Sequence, residues 1–121
     1  MPENRILLVE DEATTREIIT DLLRGEGYQV DSVATAGAAS TCLQAIEYAL
    51  VVADWVLPDG DGVDVADEAA QRGSKTLIVS GRLADLPFGV ADRHSLLSKQ
   101  LGHGEVVAAV RRQIGGPENQ P

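Results

Sequence analysis

The sequence predicts an α/β domain built on a doubly wound, five-stranded parallel sheet with helices on both faces. Five short segments rich in valine, leucine and isoleucine alternate along the chain with segments whose apolar residues recur at helical spacing. The 121 residues are 44% hydrophobic but only 3% aromatic, so one domain can bury an aliphatic core. Continuous apolar runs are typical of strands that are covered on both sides, as in parallel sheets.

The first two strands and the first helix are predicted from the opening third of the chain. Residues 5–9 form the first strand, and a helix follows with Thr14 or Thr15 as its N-cap. The apolar residues expected on the buried face of this helix are Ile18, Ile19, Leu22 and Leu23. The glycines at 25–27 end the helix, and the alternating residues 28–33 predict a second strand at a sheet edge.

The middle of the chain repeats this alternation of strand and helix. Residues 36–47 predict a second helix, and Cys42 lies in its apolar stripe, which favours core packing over reactivity. Residues 50–54 predict the third strand, 62–72 the third helix and 75–80 the fourth strand. The helix at 62–72 is expected to begin at Asp61-Gly62.

The last third of the chain is less regular. Pro87 interrupts any helix within residues 81–93, so this segment predicts a single turn or an irregular crossover. Residues 95–98 predict the fifth strand and 104–114 the last helix, whereas the Gly- and Pro-containing segment 115–121 predicts a flexible tail. The folded domain is therefore expected to span residues 1–114.

Charge and composition narrow the class of partners. A formal net charge of −9 argues against binding to nucleic acid or to an anionic membrane. The sequence shows no secretory signal and no apolar run long enough to span a bilayer, and Cys42 is the only cysteine. We therefore expect a soluble, cytoplasmic protein that binds a cation or a basic partner.

Polar side chains follow four of the predicted strands at the point where each strand ends. They are Glu10 and Asp11, Asp54, Ser80 and Lys99. The carboxyl ends of parallel strands meet at one edge of the sheet, where ligands bind in doubly wound folds. Carboxylates gathered there repel each other unless a cation such as Mg²⁺ neutralises them. With a hydroxyl and an ammonium group added, the set suits phosphoryl transfer to an aspartate.

The chain resembles the receiver domains of two-component response regulators over residues 5–114. The resemblance is carried by Leu7-Leu8-Val9-Glu10-Asp11-Glu12, Asp54, Pro58, Asp61-Gly62, Ser80 and Lys99. It implies a flavodoxin-like sheet with strand order 2-1-3-4-5 and a stand-alone, single-domain receiver. It also implies that the protein is not an enzyme, beyond catalysing its own Mg²⁺-dependent phosphorylation and dephosphorylation.

The resemblance further implies a role for each site residue. Asp54 is the phosphoryl acceptor, Asp11 binds Mg²⁺ directly, and Glu10 does so directly or through water. The third protein ligand is the backbone carbonyl of Val56, which leaves its side chain free to be apolar. Ser80 bonds a phosphoryl oxygen. Lys99 pairs first with Asp54 and then with the phosphoryl group.

The sequence departs from the receiver pattern near the end of the fifth strand. The aromatic residue usual three positions before the lysine is Leu96 here, and the usual cis-proline after the lysine is Gln100. A cis bond before a residue other than proline costs about 2.5–4 kcal/mol, so the Lys99 loop is expected to follow a different path. The short segment between Ser80 and Lys99 predicts that the fourth helix is reduced or remodelled.

Three functions follow as hypotheses. In the first, a histidine kinase or histidine phosphotransfer protein phosphorylates Asp54 with Mg²⁺, and the domain signals to a downstream target through protein–protein contact. In the second, a degenerate receiver acts as an adaptor regardless of phosphorylation, which the departures at Leu96 and Gln100 motivate. The third is a metal-dependent phosphatase, disfavoured because Val56 stands where a second aspartate is needed.

Two other metal sites are disfavoured by spacing. Leu57 to Glu68 nearly fits a calcium loop, but its first position is leucine and a strand precedes it. Asp59 is better interpreted as a turn former. His94 and His103 lack paired ligand spacing, so each is expected to be structural or exposed.

Overall fold

A computed structural model describes residues 3–116, and it contains one parallel sheet of five strands. The sheet strands are β1 (Arg5–Val9), β2 (Gln29–Val33), β3 (Leu50–Asp54), β6 (Lys75–Ser80) and β7 (Ser95–Ser98). They lie in the order β2-β1-β3-β6-β7. Two short strands, β4 (Val56–Leu57) and β5 (Gly60–Asp61), form a separate antiparallel hairpin. If only the five strands of the parallel sheet are numbered, β6 and β7 become the fourth and fifth strands, and the order is the predicted 2-1-3-4-5.

Helices cover both faces of the sheet, as predicted. They are α1 (Ala13–Gly25), α2 (Ala36–Ala45), α3 (Gly62–Gln71), α4 (Val90–Arg93) and α5 (His103–Ile114). Alternate residues of β1 enter different cores: Ile6 and Leu8 pack with α1 and α5, whereas Leu7 and Val9 pack with α2 and α3. This division follows from the two-residue period of a strand.

The register of the sheet brings the polar strand ends together. Val9 at the end of β1 pairs with Ala53 of β3, and Asp54 pairs with Val79 of β6. Ser80 then pairs with Ser98, the last residue of β7. The residues that follow each strand therefore emerge at the same edge, beside the end of the central strand.

The first helix begins earlier than the sequence predicted. Its N-cap is Glu12, whose carboxylate accepts the backbone N–H groups of Thr14 at 3.3 Å and Thr15 at 2.6 Å. The prediction of Thr14 or Thr15 as the cap is wrong, because the long Glu12 side chain reaches forward to the N–H groups of the first turn. These bonds lower the pKa of Glu12.

The buried face of α1 is narrower than predicted. Ile19 and Leu23 are buried, but Ile18 and Leu22 are 37% and 41% exposed. The helix packs on the sheet through the row of Ile19 and Leu23, and Thr20 on the other side of that row is also buried. The neighbouring row of Ile18 and Leu22 is thereby turned toward the surface.

The remaining helices differ little from the predictions. The second helix ends at Ala45, because the extended Ile46 can donate its N–H to Cys42 but does not continue the coil. Cys42 is half-buried against the core, as predicted. Residues 81–93 form a single 3₁₀ turn at Leu83–Asp85 and the four-residue α4, so the irregular crossover is confirmed.

His94 was expected to be either structural or exposed, and it is a buried structural residue. Its Nε2 lies 2.6 Å from a carboxylate oxygen of Asp67, and its Nδ1 lies 2.5 Å from Oγ1 of Thr76. A carboxylate can only accept, so Nε2–H donates to Asp67 and the hydroxyl of Thr76 donates to Nδ1. This chain of bonds ties α3, β6 and the start of β7 together.

The structure describes the chain as far as residue 116. The predicted flexible tail, 115–121, lies outside the described residues from 117 onward. Before that point, the carbonyl of Gly115 accepts a hydrogen bond from the hydroxyl of Tyr28 at 2.6 Å. Among residues 3–116, no helix combines the length and the apolar character needed to cross a membrane.

Candidate functional site

Asp54 lies at the end of the central strand, with its side chain only 4% exposed. The chain turns immediately after it and returns to α3 at Gly62, whose N–H bonds the carbonyl of Trp55 at 2.6 Å. A Cβ atom on Gly62 would lie 1.8 Å from the backbone oxygen of Asp54. Only glycine permits this contact, which fixes the backbone of Asp54 against the first residue of α3.

Lys99 reaches the carboxylate of Asp54. Its Nζ lies 2.9 Å from Oδ2 of Asp54 and 3.4 Å from Oε1 of Glu10. Lys99 follows β7 directly and opens a 3₁₀ turn, in which the hydroxyl of Ser98 accepts the N–H of Gln100 at 3.2 Å. Gln100 in place of proline therefore does not prevent the lysine from pairing with Asp54.

Three carboxylates converge beside this lysine. Glu10, Asp11 and Asp54 each offer an oxygen within 4.8 Å of the others; Glu10 and Asp54 are buried and Asp11 is exposed. The backbone N–H of Glu12 donates to Glu10 at 3.0 Å, which holds the buried carboxylate in place. The donor set is made of hard oxygen ligands at one point, which suits Mg²⁺.

Arg16 supports the acidic turn and was not found from the sequence. Its guanidinium donates to the backbone carbonyl of Glu10 at 2.9 Å and to that of Asp11 at 3.4 Å. The contact reaches back from the first turn of α1 to the residues that precede the helix. Its only signal in the sequence is a basic residue four positions after the acidic run 10–12.

Burial and like charge perturb the central carboxylate. Burial and the neighbouring Glu10 raise the pKa of Asp54 to about 8, and the opposing attraction of the Lys99 ammonium only partly offsets them. Burial by itself would lower the pKa of Lys99, but its bonds to Asp54 and Glu10 outweigh that effect and raise it. In the absence of metal, the carboxyl group of Asp54 is therefore protonated at neutral pH.

Ser80 and Val56 border the same small cavity as Asp54. The cavity has a volume of about 70 Å³, and Trp55 and Lys99 also line it. Ser80 is 4% exposed, and its hydroxyl oxygen accepts the N–H of Arg82 at 3.0 Å. The side chain of Val56 is 71% exposed and does not pack in the core.

Trp55 has a partly exposed side chain at the rim of the site. It also packs against an apolar cluster that contains Ile78 and Val90, and Leu96 packs against the same cluster. The position that usually carries an aromatic residue is therefore filled by a leucine within an apolar layer under α4.

The aspartates of the loop after Asp54 serve helix ends. Asp61 accepts the N–H of Val63 at 2.7 Å and caps α3, so the prediction that Asp61-Gly62 opens this helix is confirmed. Asp59 instead bonds the first residues of α2, at 2.7 Å to the N–H of Ala36 and 2.9 Å to that of Gly37. The sequence suggested only a turn former at Asp59, because its partners lie more than twenty residues away.

Comparison with known proteins supports this fold. The family model for the response regulator receiver domain matches residues 6–111. The chain is 28% identical to the DNA-binding response regulator MtrA of Mycobacterium tuberculosis, over 97% of this chain and 53% of that protein. It is 33% identical to the transcriptional regulatory protein BasR of Escherichia coli, over 96% of this chain and 54% of that protein.

Solved structures agree with these sequence matches. The response regulator TrrA of Thermotoga maritima, in complex with Mg²⁺-BeF, is 25% identical, with a TM-score of 0.78 over 91% of this chain and 98% of that one. A CheY-like receiver domain from Methanospirillum hungatei has a TM-score of 0.80 at 22% identity, over 92% of this chain and 93% of that one. The second match bears on the fold alone.

The doubly wound sheet and its acidic edge define a signalling domain of two-component systems. The chain belongs to the response regulator receiver domain family. Domains of this family bind Mg²⁺ at their acidic pocket. The chain spans about half the length of the curated relatives it matches, so the DNA binding named for MtrA describes that whole protein.

Proposed function

We propose that this domain accepts a phosphoryl group on Asp54 from a histidine kinase or a histidine phosphotransfer protein, with Mg²⁺ bound, and signals through protein–protein contact. One observation supports this most strongly. The ammonium group of Lys99 lies 2.9 Å from the buried carboxylate of Asp54, within a cluster of three carboxylates. An aspartate, a metal site and a fixed positive charge are the components of aspartyl phosphorylation.

The residues present fit a magnesium ion. In the proposal, Asp11 and Asp54 bind it directly, Glu10 binds directly or through water, and the Val56 carbonyl is a further ligand. Bound Mg²⁺ would neutralise the carboxylates and the incoming phosphoryl oxygens. The raised pKa of Asp54 supports this fit, because it reflects the burial of the carboxyl group and, after that, its contact with Glu10, and a bound cation offsets both.

The proposed transfer needs no other group. A carboxylate oxygen of Asp54 forms a bond to phosphorus while the P–N bond of the donor's phosphohistidine breaks. The bonding electron pair stays on the imidazole nitrogen. Lys99 moves from the carboxylate to a phosphoryl oxygen, and the hydroxyl of Ser80 donates to another. By the same residues the domain catalyses its own phosphorylation and dephosphorylation, and no other reaction is proposed for it.

The proposed receiver domain spans residues 1–114. We propose that it binds neither nucleic acid nor a membrane. A net charge of −9 opposes approach to a phosphate backbone or an anionic bilayer. An adaptor that works without phosphorylation is the second candidate. It is favoured by Leu96, which packs in an apolar layer where receivers usually place an aromatic residue.

Intact-mass measurement separates these candidates. The protein is incubated with Mg²⁺ and acetyl phosphate or phosphoramidate, next to Asp54→Asn and the control Asp64→Asn, which changes an exposed aspartate. We expect one added phosphoryl group on the wild type and on the control, and none on Asp54→Asn. No gain with any donor while Mg²⁺ still binds would support the adaptor instead. Steady turnover of a free phosphate ester would support the phosphatase.

A further inference from the structure

The loop that follows Asp54 is anchored at few points. Residues 56–61 form the β4–β5 hairpin, and the proposed metal ligand, the carbonyl of Val56, belongs to this hairpin. Leu57 is buried against the core, but Val56 is 71% exposed, and Pro58 and Asp59 at the turn are also exposed. The tip of the hairpin, Pro58 and Asp59, is therefore not held in place by burial of an apolar side chain.

Asp59 supplies a polar anchor for the tip. Its two carboxylate oxygens accept two different backbone N–H groups, that of Ala36 at 2.7 Å and that of Gly37 at 2.9 Å. The two segments lie in close contact, since a Cβ on Gly60 would lie 3.2 Å from the Cβ of Ala36, and one on Gly37 would lie 3.3 Å from the Asp59 carboxylate. We call the Asp59 bonds to Ala36 and Gly37 the α2 clamp.

The start of α2 offers two backbone N–H groups to a carboxylate from outside the helix. Thr35 caps it by accepting the N–H of Ala38 at 3.1 Å, which leaves the N–H groups of Ala36 and Gly37 for Asp59. The first turn of α2 contains no acidic residue of its own. A carboxylate at a helix N-terminus is stabilised by the helix dipole and by these donors. The same bonds lower the pKa of Asp59.

We propose that Asp59 is a positioning residue for the metal site: through the α2 clamp it holds the β4–β5 hairpin, and hence the carbonyl of Val56, beside the carboxylates. This inference rests on the proposed function. A ligand that is already in place loses less conformational freedom when the ion binds, so the clamp raises the affinity for Mg²⁺. By linkage, Mg²⁺ must stabilise the clamp by the same factor.

The test compares Mg²⁺ binding by Asp59→Ala, Asp59→Asn and the control Asp64→Asn with that of the wild type. Asp64 is an exposed aspartate in the first turn of α3, so the control removes one negative charge from a comparable place. Trp55, the only tryptophan, lines the cavity beside Asp54 and can report binding by fluorescence. We expect Asp59→Ala to weaken Mg²⁺ binding about threefold to tenfold, since such supporting contacts are worth up to tenfold or more.

The milder variant and the control give the proposal its specificity. Asp59→Asn retains one acceptor and should fall between the wild type and Asp59→Ala, and Asp64→Asn should stay within about twofold of the wild type, as screened surface charges contribute little. Equal affinities in Asp59→Ala and the wild type, with far-UV circular dichroism unchanged, would overturn the proposal. So would equal losses in Asp59→Ala and Asp64→Asn, because charge alone would then explain them.

Hydrogen exchange provides a readout that a purely structural cap would not change. In the wild type, adding Mg²⁺ should slow the exchange of the Ala36 and Gly37 amides, and in Asp59→Ala this protection should disappear. Metal-independent exchange at both amides in a wild type that binds Mg²⁺ would contradict the clamp. A wild type that binds no Mg²⁺ and gains no phosphoryl group would instead refute the proposed function itself.

Discussion

Substituting Asp54 by asparagine is expected to change how the stability of the metal-free protein depends on pH. The folded protein keeps a proton on Asp54 up to about pH 8, whereas the ordinary pKa of this side chain is 3.8. Between these values the folded state binds more protons than the unfolded state. The stabilisation present in acid is therefore lost as pH rises toward the folded pKa.

The size of this effect follows from the shift. One proton of difference changes the free energy of unfolding by at most about 1.4 kcal/mol per pH unit. From about pH 5 to about pH 7 we expect the wild type to lose roughly 2 kcal/mol, a sizeable part of a typical domain stability. Asp54→Asn has no such proton, so this loss of about 2 kcal/mol should be missing from its curve.

The other groups with clearly shifted pKa values act outside this range. The pKa values of Glu12, Asp59 and Asp67 are lowered, so the stability that these carboxylates contribute is lost only as pH falls through acid values. The raised pKa of Lys99 takes effect only in strongly alkaline solution, where its contribution is lost as pH rises. Groups that the wild type and Asp54→Asn share contribute equally to both curves, so the difference between the two slopes from about pH 5 to pH 7 reports on Asp54.

Urea unfolding in EDTA, at a series of pH values, measures this slope. The difference between Asp54→Asn and the wild type should grow in favour of the variant by roughly 1 kcal/mol per pH unit. Saturating Mg²⁺ should flatten the wild-type curve, because the cation takes the place of the proton. Parallel curves for the two proteins in EDTA would refute the electrostatic description of the site.

Three further substitutions test separate parts of the structure. Gly62→Ala should cost about 2–4 kcal/mol by urea unfolding, since its Cβ would lie 1.8 Å from the Asp54 carbonyl. His94→Leu should also lower the free energy of unfolding by about 2–4 kcal/mol, because it leaves the Thr76 hydroxyl without its partner and weakens the hold on Asp67. Lys99→Ala should slow phosphorylation by acetyl phosphate at least tenfold, on the order expected for losing one charge-stabilising group, while Mg²⁺ affinity is kept or increased.

Each of these has a control or a contrary result. Gly25→Ala, where an added Cβ meets nothing within 4 Å, should leave stability unchanged or slightly higher. A Gly62→Ala protein as stable as Gly25→Ala would show that the loop can relax. Loss of less than about 0.5 kcal/mol in His94→Leu would mean that the hydrogen-bonded chain contributes little. A Lys99→Ala protein phosphorylated at the wild-type rate would remove the lysine from the proposed mechanism.

The sheet and the convergence at its edge could be predicted because both depend on local patterns. A strand such as 50–54 is recognisable as a short apolar run that ends in a polar residue. The handed, parallel connections of a βα repeat then bring successive strand ends to one edge. Glu10, Asp54 and Lys99 could therefore be grouped although they lie far apart in the chain.

Other features depend on which of several similar residues is buried or hydrogen-bonded in the folded state. The periodicity of α1 shows an apolar stripe, but only packing on the sheet decides that Ile19 is buried and Ile18 is not. The α2 clamp and the bonds of His94 join residues 18 to 27 positions apart through backbone or side-chain groups. No periodicity or local motif marks such contacts, so the sequence offered only a turn at Asp59.

The most direct measurement maps the phosphoryl group itself. The protein is phosphorylated with acetyl phosphate and Mg²⁺ and treated with borohydride, which reduces an aspartyl phosphate to homoserine, and its peptides are sequenced by mass spectrometry. We expect homoserine at residue 54 and at no other aspartate, and none when EDTA replaces Mg²⁺. Homoserine at Asp11 or Asp59 instead, or labelling that persists in EDTA, would contradict the assignment of Asp54 as the metal-dependent phosphoryl acceptor.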